Sequence, residues 1–165
     1  MKAIVIYYSF EGNTKLIAKE IAGAINAHLA EIKPEKEIES KGFMKYIWGG
    51  SQVMMKKRPK ILPLDINIDN YDVIYIGTPI WAWTYAPPVG TFLDTYNISN
   101  KKIALFSSNE GQNGKTFSHF KEKLKNNTFL GEIDFFAPLK SNKDESIRKA
   151  RDWAIEMFTK AKSEV

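Results

Sequence analysis

The chain has 165 residues, of which 44% are hydrophobic, and this is enough for one domain with a sizeable core. Its 24 Lys and Arg residues against 19 Asp and Glu residues give a net charge of +5, a moderate excess that does not by itself indicate nucleic-acid binding. The absence of cysteine excludes disulfides, thiolate nucleophiles and sulfur-ligated zinc or iron–sulfur sites. Any redox chemistry therefore requires a bound organic cofactor.

The chain goes directly into its first apolar run at Ala3, with no charged segment, apolar leader or cleavage site before it. No apolar stretch approaches the roughly 18 residues needed to cross a bilayer. We therefore expect a soluble, cytoplasmic protein that binds neither membranes nor nucleic acid.

Short apolar runs alternate with helix-length segments along the whole sequence. Strands are predicted over residues 3–8, 28–33, 72–77, 102–107 and 133–139. Because parallel strands are joined by helical crossovers, this alternation predicts a doubly wound α/β fold with helices on both faces of a five-stranded parallel sheet. No repeat, low-complexity segment or linker interrupts the pattern, which predicts a single domain over residues 1–165.

Three helices are indicated by the spacing of apolar residues and by capping signals. The helix after the first strand has one apolar face, made by Ile17, Ile21, Ala24 and Ile25. The final helix has a longer stripe, made by Ile147, Ala150, Ala154, Met157, Phe158 and Ala161. Ser141 or Asn142 is its candidate N-cap, and Pro87-Pro88 predicts a helix that begins with proline.

The segment 40–63 is the least regular part of the sequence. It is basic, carries Phe43, Tyr46 and Trp48, and breaks at Gly49-Gly50. We interpret it as the second crossover helix, because its apolar residues fall at helical spacing and the fold needs a crossover here. The alternatives are a basic, aromatic surface for nucleic acid or membrane, and a lid or partner-docking segment.

The loops that follow the first, third and fourth predicted strands should form one site. In an open parallel sheet, ligands bind at the carboxyl ends of the strands near the point where the strand order reverses. These loops are SFEGNT at residues 9–14, TPIWAWTYAPP at 78–88 and SSNEGQNGKT at 107–116.

The first of these loops has the composition of an anion site. It offers the hydroxyls of Ser9 and Thr14, the amide of Asn13, a flexible Gly12 and the free N–H groups of a helix start. Neither the GxxxxGK[ST] nor the GxGxxG pattern is present, so a small terminal monophosphate is favoured over a nucleoside triphosphate or a dinucleotide. An ordinary capped turn between a strand and a helix is the alternative.

The second loop is aromatic and the third is polar. Trp81, Trp83 and Tyr85 lie between two prolines, in a predicted loop where regular strand or helix packing would not account for them. Flat rings at the end of a strand favour a flat ligand. The third loop, with Gly111 and Gly114, could supply backbone groups for the polar edge of that ligand, or could be a plain surface loop.

Taken together, the three loops resemble the flavodoxin family. YSFEGNT lies between the first strand and a helix, GTPIWAW and PPVGTF follow the third strand, and SSNEGQNG follows the fourth, so the resemblance covers essentially the whole chain. It implies a flavodoxin-like three-layer sandwich with sheet order 2-1-3-4-5 and one non-covalently bound FMN. The length is similar to that of short-chain flavodoxins.

The resemblance also implies a role for individual positions. The phosphate would be held by Ser9, Phe10, Glu11, Gly12, Asn13 and Thr14. The isoalloxazine ring would be lined by Thr78, Pro79, Ile80, Trp81, Ala82 and Trp83, and its opposite edge by Ser108, Asn109, Glu110 and Gly111.

Three features of the loops depart from the family pattern. Glu11 stands where a hydroxyl residue is usual, and because like charges about 4 Å apart cost about 4 kcal/mol at an effective dielectric near 20, we expect its carboxylate to point outward. No aromatic residue between Ser107 and Thr116 can cover the flavin, and the WAWT stretch lacks the glycine that the family commonly places beside it. The positive net charge also differs from that of strongly acidic flavodoxins.

The leading functional interpretation is a monomeric electron carrier between redox partner proteins. FMN would supply the chemistry, with no catalytic side chain and no metal, and His28 and His119 would be structural or solvated. An FMN-dependent NAD(P)H reductase of a quinone or similar acceptor is the alternative on the same fold. A flavin-free binding or signalling module is the third interpretation. However, the first predicted strand ends in Tyr-Tyr-Ser and the third in Gly-Thr-Pro, without the acidic residues that a receiver domain needs.

Overall fold

A computed structural model describes residues 1–36 and 58–163 of the chain. The strands are β1 (Ala3–Tyr7), β2 (His28–Glu31), β3 (Val73–Trp81), β4 (Thr84–Tyr85), β5 (Lys102–Asn109) and β6 (Thr128–Phe136). The helices are α1 (Asn13–Ile25), α2 (Pro87–Thr95), α3 (Thr116–Lys123) and α4 (Lys143–Ser163), with a short 3-10 turn at Ile68–Asn70. No helix in these two ranges is long and apolar enough to cross a membrane.

The sheet confirms the predicted flavodoxin-like α/β class. Its long strands are parallel and lie in the order β2-β1-β3-β5-β6, which is 2-1-3-4-5 when only these five are counted. The prediction of five strands omitted β4, which pairs antiparallel with the end of β3. β4 has only two residues, too few for the alternation that indicates a strand.

Both faces of the sheet are buried, which is why the strands have continuous apolar runs. Ile4 and Ile6 of β1 pack in the cluster that includes Phe92 of α2. Val5 and Tyr7 alternate with them and pack in the opposite cluster with α1 and α4. Side chains of successive strand residues point to opposite faces, so each helical layer covers every second residue.

The predicted helical faces correspond to buried surfaces. Ile17 and Ile21 of α1 are fully buried, whereas Ala24 and Ile25 are partly buried. Ala150, Ala154, Met157 and Ala161 of α4 are buried with Trp153, which the prediction omitted, while Phe158 is partly buried and Ile147 is half-buried. Helix α2 begins at Pro87, as predicted, because proline at the first helical position has no N–H group to leave unpaired.

The largest error in a predicted boundary concerns the last strand, β6. It was predicted over residues 133–139, but it begins at Thr128 and ends at Phe136. Gly131 divides the β-rich run in the sequence, although in the sheet it lies directly beneath α4. A Cβ atom at this position would be 2.6 Å from Sδ of Met157, so glycine allows the helix to pack closely on the strand.

The predicted crossover helix within 40–63 lies mostly outside the described residues, because residues 37–57 are not described. Residues 58–63 are described and are not helical. Pro34 and Ile61 form an isolated antiparallel bridge, and Glu35 N donates to Lys60 O at 2.9 Å. The chain segments on the two sides of the undescribed residues therefore pair with each other.

Candidate functional site

A cleft of about 360 Å³ opens at the carboxyl ends of the parallel strands. Its volume lies within the range of roughly 300–1,000 Å³ that is usual for small-molecule sites. All three predicted loops and one residue after β6 contribute to its lining. The lining residues are Ser9, Phe10, Glu11, Asn13, Thr14, Pro79, Ile80, Trp81, Ser108, Asn109, Glu110 and Lys140.

The first loop forms a tight turn that ends at the start of α1. Ser9 Oγ accepts hydrogen bonds from Gly12 N at 3.2 Å and Lys15 N at 3.1 Å, and Gly12 has a φ of 95°, which favours glycine. The N–H groups of Asn13 and Thr14 belong to the first helical turn, where no intrahelical carbonyl can accept them. This end of the cleft thus offers hydroxyl and backbone donors to an anion, at the positive end of the helix dipole.

A turn after β6 packs directly on the first loop. Asn13 Oδ1 accepts a hydrogen bond from Leu139 N at 3.0 Å, so this side-chain oxygen holds the turn in place. The next residue, Lys140, lines the cleft and was missed by the sequence analysis. It directly follows the predicted last strand, so applying the rule for carboxyl ends to that strand as well would have found it.

The charged side chains of the cleft lie close to each other. Lys140 Nζ is 2.7 Å from Oε1 of Glu110, and this hydrogen bond is the main reason why the pKa of Lys140 is raised, with a smaller contribution from the charge of Glu11. Glu11 is exposed, but it also lines the cleft. The outward orientation of its carboxylate with a phosphate present therefore stays a prediction.

The prediction that the aromatic residues of the second loop lie outside regular structure is wrong for Trp81 and Tyr85. Trp81 is the last residue of β3, is only 7% exposed and packs edge-on against Tyr8 and Phe10, with centroid distances of 5.7 and 5.6 Å. Tyr85 lies in β4 and packs on Phe120. Trp81 therefore forms a rigid wall of the cleft and is also part of the core.

Trp83, by contrast, lies in the two-residue turn between β3 and β4 and is 60% exposed. Ala82 and Trp83 have φ values of 48° and 63°, so the turn has the left-handed conformation typical of tight hairpins without using glycine. Lys115 N donates to Trp83 O at 3.0 Å, which ties the turn to the third loop.

Five of the predicted site residues do not line the cleft: Gly12, Thr78, Ala82, Trp83 and Gly111. Thr78 is fully buried, and its hydroxyl accepts from Ala86 N at 3.0 Å and donates to Pro79 O at 2.8 Å. Its side chain thus fixes the β3–β4 hairpin. Gly12 shapes the first loop, and Gly111 lies beyond the end of β5.

The close approach of Gly114 to Trp83 gives a direct test of this arrangement. Gly114 has a φ of 62°, and a Cβ atom there would lie 2.4 Å from Trp83 Cβ and 2.9 Å from Trp83 Cα. We expect Gly114→Ala to lower the free energy of unfolding by about 1–3 kcal/mol, measured by urea denaturation. The added methyl group would clash with Trp83, and an alanine backbone would be strained at this positive φ. Gly111→Ala is the matched control, since nothing lies within 4 Å of its Cβ position. Equal effects of the two substitutions would contradict the contact.

The third loop begins later than predicted, because β5 continues through Asn109. Ser108 Oγ lies 2.8 Å from Thr14 Oγ1, and this buried hydrogen bond joins the third loop to the first. On the other face of β5, the carboxylate of Asp134 accepts hydrogen bonds from Ser107 Oγ at 2.6 Å and from Asn109 Nδ2. The sequence analysis missed Asp134, which supports the strand end from outside the cleft.

Each of the two histidines makes a hydrogen bond with a protein hydroxyl. His28 Nδ1 pairs with Tyr71 OH, and His119 Nδ1 lies 2.7 Å from Thr84 Oγ1. Among residues 1–36 and 58–163, no group of histidine, aspartate and glutamate side chains could hold a metal ion.

The comparisons with known proteins agree with this geometry. A flavodoxin family model matches residues 2–134. The chain belongs to the flavodoxin family. The resemblance inferred from the three loops is thereby confirmed.

The similarity to solved and curated relatives covers most of this chain. A flavoprotein from Lactobacillus acidophilus, solved in complex with FMN, is 30% identical, with 86% of this chain and 97% of that chain covered and a TM-score of 0.65. A flavodoxin from the domain Archaea is 21% identical, with 98% and 99% covered and a TM-score of 0.63, and it supports the fold alone. An uncharacterised protein from Methanocaldococcus jannaschii is 29% identical over 172 residues, with 93% of this chain and 96% of the relative covered.

Proposed function

We propose that this flavodoxin binds one FMN non-covalently in the cleft and, as a monomer, carries electrons between redox partner proteins. The observation that carries the proposal is the convergence of three loops on a single cleft, with anion donors at one end and an aromatic wall beside them. The FMN complex of the relative from Lactobacillus acidophilus, which is 30% identical, supports the choice of ligand.

The residues of the cleft fit the parts of FMN. Ser9, Thr14 and the free N–H groups at the start of α1 match a terminal phosphate. Pro79, Ile80 and Trp81 offer an apolar wall to a flat ring, and Asn109 lies at the polar edge of the cleft. The donors of the first loop are hydroxyl and backbone N–H groups, and the ammonium group of Lys15 in α1 pairs with Glu31 at 3.1 Å.

FMN, when bound, supplies one-electron and two-electron transfer, so the protein has to bind, orient and partly shield it. Trp81 is suited to orienting the ring, because Tyr8 and Phe10 hold its indole edge-on and leave it little freedom. The hydrogen bond between Thr14 and Ser108 keeps the two polar loops at a fixed separation. A preformed cleft of this kind lowers the entropy lost when the ligand binds.

The alternative function is an FMN-dependent NAD(P)H reductase of a quinone or similar acceptor. One observation favours it: Glu110, Gly111 and Gln112 are exposed, and no aromatic residue between Ser107 and Thr116 covers this side of the cleft. A nicotinamide ring would need such an open face to approach the flavin.

Two rates measured on the FMN-loaded protein separate the functions. For a carrier, we expect the dithionite-reduced protein to reduce a one-electron acceptor such as cytochrome c in a stoichiometric single turnover. We also expect it to oxidise NADPH or NADH, with menadione as acceptor, no faster than free FMN at the same concentration. Saturable turnover with NAD(P)H well above the rate of free FMN would contradict the carrier function and establish the reductase.

A further inference from the structure

Three of the residues that line the cleft have charged side chains. Among the described residues that line the cleft, Glu11 and Glu110 are acidic and Lys140 is the basic residue. Without Lys140, a phosphate held by the first loop would face two carboxylates and no opposite charge. Lys140 is therefore placed to offset the charge of these two carboxylates when an anionic ligand binds.

The backbone of Lys140 is fixed to the loop that offers the anion donors. Leu139 N donates to Asn13 Oδ1 at 3.0 Å, and Lys140 N donates to Ala137 O at 2.9 Å. A Cβ atom on Gly12 would lie 3.3 Å from Leu139 Cδ1, so this turn and the first loop are in contact. The lysine side chain thus starts from an anchored point beside the first loop.

The ammonium group of Lys140 is paired with Glu110, and this pairing can be exchanged for another. Lys140 Nζ lies 2.7 Å from Glu110 Oε1, with the two side chains 65% and 44% exposed. Exposed ion pairs of this kind contribute little to stability, because water screens the charges and both side chains lose freedom. A phosphate carries up to two negative charges and several acceptor oxygens, so it is a stronger partner for an ammonium group than one carboxylate is.

We propose that Lys140 determines the specificity of this site for a flavin with a terminal phosphate, by exchanging Glu110 for the phosphate group when the ligand binds. The inference rests on the proposed function, since it assumes that a flavin occupies the cleft. Glu110 then competes with the ligand for the ammonium group. The phosphate-free flavin, riboflavin, gains nothing from Lys140.

The test compares the dissociation constants of FMN and riboflavin, measured by quenching of flavin fluorescence, in the wild type and in Lys140→Met. Methionine keeps an unbranched side chain of similar length but removes the charge. We expect FMN binding to weaken about 10-fold or more, as for the loss of a charge-assisted hydrogen bond, and riboflavin binding to change less than about twofold. The salt dependence of FMN affinity should also become flatter.

Three further variants complete the test. Lys19→Met removes the same charge from an exposed position of α1 outside the cleft and should leave the ratio of the two dissociation constants unchanged. Lys140→Arg should restore the preference for FMN, because it restores the charge. Glu110→Gln should raise the ratio of FMN affinity to riboflavin affinity a few-fold, because it removes the carboxylate that competes with the phosphate.

Each outcome bears on one of the two proposals. An unchanged ratio of FMN to riboflavin affinity in Lys140→Met, or equal affinities in the wild type, overturns the role of Lys140 while the flavin site itself stands. A wild-type protein that binds neither flavin overturns the proposed function, and the role of Lys140 with it. Circular dichroism spectra should be the same for all variants, because Lys19, Glu110 and Lys140 are exposed.

Discussion

Replacing Trp81 with alanine should lower the free energy of unfolding by about 3–5 kcal/mol, the usual range for removing a large buried aromatic side chain. The indole is 7% exposed and belongs to the cluster of buried residues that also contains Tyr8 and Phe92. Its removal would leave a cavity beside Phe10, which packs edge-on against it. Because the same ring forms a wall of the cleft, FMN affinity should fall together with stability.

Trp83→Ala is the matched control, since it removes the same side chain from the adjacent turn. Trp83 is 60% exposed and does not line the cleft, so we expect the free energy of unfolding to change by no more than about 0.5 kcal/mol. Urea denaturation gives both free energies, and Trp81→Phe should lie between them. Similar losses for Trp81→Ala and Trp83→Ala would contradict the assignment of one tryptophan to the core and the other to the surface.

Replacing Asp134 with alanine should lower the free energy of unfolding by roughly 3 kcal/mol. Its carboxylate accepts hydrogen bonds from Ser107 Oγ and Asn109 Nδ2, and each hydrogen bond to a charged group contributes about 1.5–3 kcal/mol. Ser107 is fully buried and Asn109 is 8% exposed, so little water can replace the lost acceptor. Asn109 Oδ1 in turn accepts from Gly111 N at 2.9 Å, so the start of the third loop should also lose order.

Asp134→Asn provides the control for this prediction. The amide keeps one oxygen acceptor, so we expect less than half of the loss seen with alanine. Urea denaturation measures the stability, and hydrogen exchange of the amides of residues 109–113 measures the order of the loop. If both substitutions had the same small effect and exchange were unchanged, the carboxylate would not support the strand end.

The sequence was sufficient to predict the parts of the fold that depend on repeated burial. The sequence has a continuous apolar run at Ile4, Val5, Ile6 and Tyr7, and such a run predicts a strand that is covered on both faces. All four residues are buried in the structure. The rule that ligands bind at the carboxyl ends of the strands then brought the three loops together. Local propensity and the overall topology agree at these positions, which is why sequence reasoning works there.

Sequence reasoning failed where the structure depends on one close contact or on an unusual backbone conformation. Ala82 and Trp83 form a tight turn with positive φ but without glycine, so nothing in their identity indicated the β3–β4 hairpin. The last predicted strand left out Gly131, whose contact with Met157 is visible only after the helix has packed on the sheet.

Two residues that were not predicted from the sequence are Lys140, which lines the cleft, and Asp134, which supports the end of β5. The places of both depend on the position of β6. Asp134 reaches Ser107 because the two residues are paired in the register of β5 and β6, and this register includes a shift at Ile103/Ala104. Lys140 reaches the cleft through a turn that is held by Asn13. Single polar residues of this kind have no periodic pattern. Asp134 is recognisable only from the three-dimensional structure, whereas Lys140 could have been found by applying the rule for carboxyl ends to the last strand.

The central claim is that the cleft holds one FMN, and a titration of the ligand-free protein with FMN tests it most directly. Flavin fluorescence and absorbance should show saturable binding that ends at one FMN per chain, with the flavin fluorescence quenched by the neighbouring Trp81. Failure to reach saturation, or an absorption spectrum identical to that of free FMN throughout the titration, would contradict the account.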